Sequence, residues 1–474
     1  MNRKILKEKE INFLLEEYQK NPALFERKCF IDDSNFLEKI GIFFPPYLKD
    51  NFSPGYLKFY PQDFIVEEIL KDGRVIAVDS KELEELGGKI NNKDKDNSTL
   101  YSILVKCGVS TIEAIEDIAR FLKTEQKNIR FAGIKDKNAL TAQLISFRGI
   151  SKEKLKEVSF PYFFLKGTYS GKGAMETGSL KGNNFIILVR TNNSFKKENF
   201  YNNLKIVQEQ GFFNFFYSQR FAPPRFANWY WGLLILKGRY REAIFSFLSF
   251  SGERESLYFK KIREEIKKDL GDWNKIEKTI NFFPLIFENE LKVVSYLKEN
   301  PQDYIGALQE IPEQVKLWVF AYASLLFNKN LSFYLKEKRK MPLNLPLILS
   351  KDKNDWLAYY DFLKEDGILS MPLKNLRPFN FIQWKKRRIK TREMPEIKDV
   401  KIIPEGVVFN FILPKGCYAT TFLSHFFELC WGLPPDGISD KEIDIKEILG
   451  RGSVKELLKR FKEVIYPSGK GIFG

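Results

Sequence analysis

Two short runs of strand character, Asn128-Ile-Arg-Phe-Ala132 and Thr141 to Phe147, bracket a glycine-relaxed loop that carries one carboxylate, Asp136, between Lys135 and Lys137. In the second run Thr141, Gln143, Ile145 and Phe147 alternate onto a common face. A chain of this kind presents Asp136 on a loop held between two rigid elements, where the backbone is free of ladder hydrogen bonds yet fixed in position. Two readings fit these residues. Asp close to Gly and Asn is ordinary turn chemistry, and the same setting suits a reactive carboxylate.

Composition narrows the chemistry. The 474 residues are enough for about three average domains, and a 44% hydrophobic content supplies real cores. Lysine and arginine number 77 against 61 acidic residues, a formal net charge of +16, with a pI near 9.3. Such an excess favours a polyanionic partner, because neutralising phosphates releases counterions. The first fifty residues carry as many acids as bases, so the excess belongs to the body of the chain. Its sharpest run, Trp384-Lys-Lys-Arg-Arg-Ile-Lys-Thr-Arg392, joins an aromatic to Lys385, Lys386, Arg387 and Arg388. It reads as a nucleic-acid contact, with a solvated loop as the alternative.

His425 is the only histidine, so a His-based metal site or a Ser-His-Asp triad lacks material. The four cysteines, Cys29, Cys107, Cys417 and Cys430, contain no Cys-x-x-Cys pair. Chemistry therefore falls to carboxylates, lysines and hydroxyls, and no metal or cofactor is expected. The N-terminus lacks the apolar core of a signal peptide. No stretch approaches the ~18 apolar residues of a membrane span, and Leu317 to Phe327 reads as a buried helix. The expectation is a soluble cytoplasmic protein with reduced thiols and no membrane partner. Its oligomeric state is open, with a monomer as the working expectation.

Periodicity organises the chain coarsely. Residues 1–50 read as an N-terminal helical extension ending at Pro45-Pro46. A β-rich stretch follows from Phe52, with strands at Phe64-Ile-Val-Glu-Glu-Ile69 and Val75-Ile-Ala-Val78 and a polar loop from Gly87 to Thr99. Ser110-Thr-Ile-Glu113 is a capping box opening a helix to Thr124 with a stripe of Ile112, Ile115, Ala119 and Leu122. A strand from Asn184 to Arg190 puts Phe185, Ile187 and Val189 on one face. Between Ala222 and Asp399 the pattern becomes helical, including Glu313 to Lys338. Alternation resumes at Gly406 to Leu413, ahead of a helix from Thr420. A second capping box, Ser453-Val-Lys-Glu456, opens a last helix with Val454, Leu457, Leu458, Phe461 and Ile465 as its stripe. By itself this is an α+β chain with a helical middle.

The central loop has the form Gly133-x-Lys135-Asp136-Lys137-x-Ala139-x-Thr141-x-Gln143. Four further stretches follow in order: Asp63-Phe-Ile-Val-Glu-Glu68, Leu180-Lys-Gly-Asn-Asn-Phe185, Asn214-Phe-Phe-Tyr-Ser-Gln-Arg-Phe221 and Leu413-Pro-Lys-Gly-Cys-Tyr-Ala-Thr-Thr421. On these five motifs the chain resembles the TruD family of tRNA pseudouridine synthases. The resemblance implies a pseudouridine-synthase catalytic domain over 51–221 plus 400–474, a mixed, largely antiparallel sheet with flanking helices. A mostly helical TruD-type insertion domain over 222–399 interrupts it, with RNA lying in a cleft between the two.

It also implies tRNA as partner, uridine 13 of the D arm as target, and Asp136 as the catalytic carboxylate. The carboxylate acts either as a nucleophile at the sugar or as a base on a path through a glycal. Desolvation under bound RNA would raise its pKa and nearby cations would lower it; Lys135 and Lys137 are the candidates for that compensation, or for holding a phosphate. Phe185 and Tyr418 would stack on the flipped uracil, Asn183 would hydrogen-bond near the pocket, and Glu68 would orient Lys135 or substrate. For Phe185, pattern alone equally fits a core residue. Lys137, Lys181, Arg220 and the Lys385–Arg388 run would contact RNA.

The chain departs from the family at Tyr217 and Ala222, where glycines are usual, and at Ser424 and His425, where many members carry Arg-Glu. His425 reads as a satisfied helix residue. An alternative function is an RNA-binding or RNA-folding protein on the same scaffold. Asp136 discriminates, since a binder gains nothing from a carboxylate beside phosphates. Nucleotide and methyl-transfer chemistry lack support, because neither a Gly-x-x-x-x-Gly-Lys-Ser/Thr loop nor a Gly-x-Gly-x-x-Gly turn occurs.

Overall fold

The computed structural model describes residues 3–43, 52–80 and 99–467, and the chain divides into two compact units. One comprises Cys29–Asp32, Asp50–Phe212 and Glu393–Gly474; the other comprises Met1–Lys28, Asp33–Lys49 and Phe213–Arg392. The division differs in outline from the sequence reading. The N-terminal helix Arg3–Lys20 belongs to the helical unit, where buried Glu10 accepts the backbone N–H groups of Leu285 and Ile286 at 3.2 and 3.0 Å. The Glu396–Ile403 strand, by contrast, belongs to the sheet unit. Pro45-Pro46 and most of the Gly87 to Thr99 loop lie outside the described residues.

Among the described residues, the sheet unit is built on thirteen strands in one sheet. Its spine runs Cys29–Ile31, Phe427–Gly432, Ser53–Tyr56, Leu180–Arg190, Phe64–Leu70, Leu140–Arg148, Thr99–Cys107, Phe163–Gly171 and Ser159–Phe160. Pairing is antiparallel except between Phe427–Gly432 and Ser53–Tyr56 and between Phe64–Leu70 and Leu140–Arg148. The sheet is thus mixed and largely antiparallel, in an α+β chain. Leu180–Arg190 needs glycine at position 182. A Cβ there would lie 2.2 Å from the carbonyl oxygen of Leu413 on the neighbouring strand.

One edge of the Leu140–Arg148 strand has two successive partners. Ile65–Glu67 pairs with Leu140–Ala142 in parallel, and Ile129–Phe131 pairs with Ile145–Phe147 antiparallel. In the interval between them the amide of Leu144 donates to the Glu68 carboxylate at 3.2 Å. Period-2 alternation sends Ile65, Ala142, Leu144, Ile186 and Leu188 into a core on one face. Ile145 and Phe147 face the other way, into a core closed by Ala114, Ile115, Ile118 and Ala119 of the Thr111–Phe121 helix.

That helix carries the expected capping box at Ser110 and Glu113, but Ile112 is 48% exposed and Ile118 takes its place in the stripe. The strand at Val75 is shorter than read, Val75–Ile76. The last helix, Lys455–Arg460, lacks the capping box. Asp444 takes over, accepting from the Ser453 hydroxyl at 2.7 Å and from the Val454 amide at 2.9 Å. Its stripe packs as expected, with Val454 and Phe461 buried and Leu457, Leu458 and Ile465 against them.

The helical unit centres on the Pro312–Lys336 helix, which packs on Asn228–Leu236. Gly232 permits close approach, since a Cβ there would lie 2.1 Å from the Trp318 carbonyl oxygen. Trp231, Trp318 and Phe247 form the aromatic centre of this packing. Among the described residues, no helix is long and apolar enough to cross a membrane.

Candidate active site

Asp136 lies in the segment joining the Ile129–Phe131 and Leu140–Arg148 strands, which pair as a hairpin. Buried polar side chains hold the segment. Thr111, the first residue of its helix, donates its hydroxyl to Gln143 at 2.9 Å and accepts the Lys135 amide at 3.0 Å. Gln143 in turn donates its amide to the Gly133 carbonyl at 3.0 Å. From below, Lys106 donates its ammonium to the Asp136 carbonyl at 2.6 Å and the Val109 carbonyl at 2.9 Å, and lies 3.5 Å from that of Lys135. Lys106 is fully buried.

The Asp136 side chain is 39% exposed, whereas the cations around it are not. Lys58 Nζ donates to Asp136 Oδ1 at 2.7 Å and sits over the Phe64 ring, 4.2 Å from its centroid. Lys58 has φ of +58°, a left-handed backbone that is costly for a residue with a Cβ. Strain of this kind persists where the surrounding structure over-determines it. Enclosure by protein is the largest influence on the Asp136 carboxyl and raises its pKa. Lys58 and then Lys106 outweigh it, so the group stays below the ordinary carboxylate range.

The lysines flanking Asp136 in sequence do not supply this compensation. Lys135 points inward, 3% exposed, to Glu68 Oε2 at 2.9 Å and Asn183 Oδ1 at 2.9 Å. Lys137 is exposed and lies 3.6 Å from Glu113. In an extended segment neighbouring side chains leave on opposite sides, so the lysines adjacent to Asp136 are turned away from it.

Glu68, Lys135 and Asn183 meet because Glu68 and Asn183 are cross-strand partners in the sheet. Phe185, two residues along on the same face, is 5% exposed, stacked on Phe411 at 5.3 Å with its edge to Phe64. As a stacking platform it has little open surface; it is a core ring beneath the site. Tyr418 is half-exposed at the N-terminus of the Ala419–Leu423 helix. Lys181 is exposed on the strand that carries Asn183. His425 is buried, with Nδ1 2.8 Å from the Thr421 carbonyl and its ring edge-on to Phe212. Among the described residues, no three His, Cys, Asp or Glu side chains are grouped to hold a metal ion.

Arg220 belongs to the helical unit, its guanidinium 5.1 Å from the Phe216 ring centroid. Ala222 adopts a left-handed conformation with φ of +59°, the backbone that glycine accommodates at no steric cost. Lys385, Lys386, Arg387 and Arg388 are exposed in the same unit. Lys386 pairs with Asp352 at 2.7 Å, Arg388 lies 4.0 Å from Asp355, and Arg387 covers the Phe320 ring.

Lys58 and Lys106 escaped the sequence reading. The available signals were single cations in apolar surroundings, Tyr56-Leu-Lys58-Phe-Tyr60 and Ile103-Leu-Val-Lys106-Cys107. Buried lysines of this type need a partner, and that need pairs them with a carboxylate or with carbonyls.

Comparison with known proteins adds to this geometry. The family model described as tRNA pseudouridine synthase D (TruD) matches residues 48–352. The chain is 26% identical over 404 residues to "tRNA pseudouridine synthase D" of Aquifex aeolicus, covering 80% of this chain and 94% of that protein. It is 32% identical over 288 residues to "Probable tRNA pseudouridine synthase D" of Methanococcus aeolicus, covering 58% of this chain and 68% of that one. A crystal structure from Methanosarcina mazei described as a TruD protein superposes with a TM-score of 0.59 at 23% identity. That match covers 82% of this chain and 97% of the other, a likeness of fold.

Proposed function

The chain belongs to the tRNA pseudouridine synthase D (TruD) family, and from that premise we propose that it converts a tRNA uridine to pseudouridine, uridine 13 of the D arm, with Asp136 as the reacting carboxylate. The observation that carries the reading is the setting of Asp136. A solvent-reachable carboxylate, kept ionised by Lys58 and Lys106, sits on a loop whose backbone is fixed by Thr111, Gln143 and Lys106.

The reaction breaks the bond between uracil N1 and ribose C1′, turns the base, and forms a bond from C5 to C1′. The C5 proton is then lost to solvent, and N1, which left C1′ with the bonding pair, takes one up. Asp136 serves either by attacking C1′, its carboxylate being released when C5 bonds there, or by removing the C2′ proton, which is returned as C5 bonds to C1′, and both routes require the charged form. Lys58 is the direct partner of the carboxylate. Removing the base from its stack costs a few kcal/mol, and Tyr418 offsets part of that, since one aromatic contributes about 1–3 kcal/mol per stacked base. Glu68 orients Lys135, which with Asn183 lines the site; Phe185 supports its floor through Phe64. Lys137, Lys181, Arg220 and the Lys385–Arg388 run supply phosphate contacts. A cytoplasmic location goes with an RNA substrate.

The test is a site-resolved pseudouridine map of an unmodified tRNA transcript incubated with the purified protein. Product at position 13, and none when that uridine is replaced by cytidine, is the expected result. Product only elsewhere would overturn the assignment of target, and no product on any tRNA would overturn the reaction.

A further inference from the structure

Lys106 has features that a structural lysine does not need. It sits on the Thr99–Cys107 strand, opposite Thr141 on one side and Phe163 on the other, with no exposed surface. Its ammonium donates to the main-chain carbonyls of Val109, Lys135 and Asp136. A buried ammonium usually neutralises its desolvation with a carboxylate at contact distance. Here the carboxylate whose charge it feels is that of Asp136, the residue whose carbonyl it holds.

We propose that Lys106 is a positioning residue for the reaction: its ammonium draws the Asp136 and Lys135 carbonyls together, fixing the direction of the Asp136 side chain and favouring its ionised form. The inference rests on Asp136 being the reacting group. Geometry makes the effect specific to the charged state. An ammonium has three hydrogens for three carbonyls, while a neutral amine has two and carries no charge. Losing the proton therefore loosens the loop and removes one of the cations that keep Asp136 ionised.

The groups facing Lys106 set where that happens. Burial pulls its pKa down most strongly; Asp136 and Cys107 push it up, and Lys58 and Lys135 push it down, leaving it at about 7. Cys107, on the same strand, is held at about 12 by burial and stays a thiol. Glu68 is tied to Lys135, and Glu113, from the adjoining helix, lies beside Lys137. In the free protein, Lys106 thus sheds its proton as pH rises through about 7. Bound RNA brings phosphates that favour the charged form, so the loss shifts to higher pH in the complex.

The experiment is the pH dependence of tritium release from tRNA labelled at uridine C5. For the wild-type protein kcat/KM, which reports the free protein, is expected to fall with rising pH through a midpoint near 7. The fall in kcat should come at higher pH. Lys106→Met, of similar length and without charge, is expected to lose about 10- to 100-fold in kcat with KM within about threefold, and to lose the alkaline fall. A wild-type profile flat from pH 6 to 9 overturns the proposal without any variant having to fold. So does a Lys106→Met protein that keeps wild-type kcat or an unchanged alkaline fall. Asp136→Asn run in parallel separates the two ideas, since activity in that variant would defeat the assignment of Asp136, whatever Lys106 does.

Discussion

Replacing Glu68 with Gln tests the buried half of the site in isolation. Glu68 has no exposed surface, its partner Lys135 is 3% exposed, and their charged atoms are 2.9 Å apart. Gln keeps the volume and can still accept the Leu144 amide, so the cost falls on a desolvated ammonium that has lost its counter-charge. Breaking a buried pair by removing one partner costs about 3–5 kcal/mol. Lys135 retains Asn183 Oδ1 at 2.9 Å, which puts the expectation at the lower end, about 3 kcal/mol. At about 2–4 °C per kcal/mol for a domain of this size, melting should drop by roughly 6–12 °C. The double variant Glu68→Gln/Lys135→Met leaves no orphaned charge and should recover at least half of the loss, about 1.5–3 kcal/mol relative to the single variant. Urea unfolding of the four proteins in the cycle measures it. A single variant within about 0.5 kcal/mol of wild type, or strictly additive losses, would refute the ion-pair argument.

Three further outcomes are expected. Lys58→Met removes the largest influence holding the Asp136 carboxyl low while burial persists; activity needs the charged form, so the acid limb of kcat/KM should move to higher pH, and an unmoved limb would contradict the pairing. Ala222→Gly should raise stability by about 0.5–1 kcal/mol, since relief of the left-handed strain of about 1–2 kcal/mol exceeds the entropy that glycine adds to the unfolded chain; a shift in denaturation midpoint checks it. Neutralising Lys385, Lys386, Arg387 and Arg388 together should weaken tRNA binding and flatten its salt dependence. Reverting Lys386 and Arg388 should restore less than reverting the other two, because Asp352 and Asp355 already partly satisfy them.

Much of the architecture was legible because single elements carried more than one consistent signal. The Thr111–Phe121 helix had a cap and a stripe, and the Pro312–Lys336 helix had a long, mostly apolar run from Leu317 to Phe327. The errors came where a tertiary partner decided. Ser453 looks like a cap, yet Asp444, nine residues earlier, claims its hydroxyl. Ile112 fits the helical period but falls on the exposed side.

At the site, the hairpin loop and the Glu68–Lys135–Asn183 contact join residues that the motifs singled out. What local sequence could not convey is which cation meets which anion. Lys135 and Lys137 touch Asp136 along the chain and turn from it in space. Lys58 and Lys106 reach it from other strands of the sheet unit or their flanks, and that depends on the register of Phe64–Leu70 and Thr99–Cys107 against Leu140–Arg148.

The proposed chemistry depends on the Asp136 carboxylate, and tritium release from tRNA labelled at uridine C5 by the Asp136→Asn protein tests that role most directly, with tRNA affinity measured on the same preparation. Release at background with affinity within a few-fold of wild type is the predicted result. Turnover by the variant at the wild-type rate would contradict it.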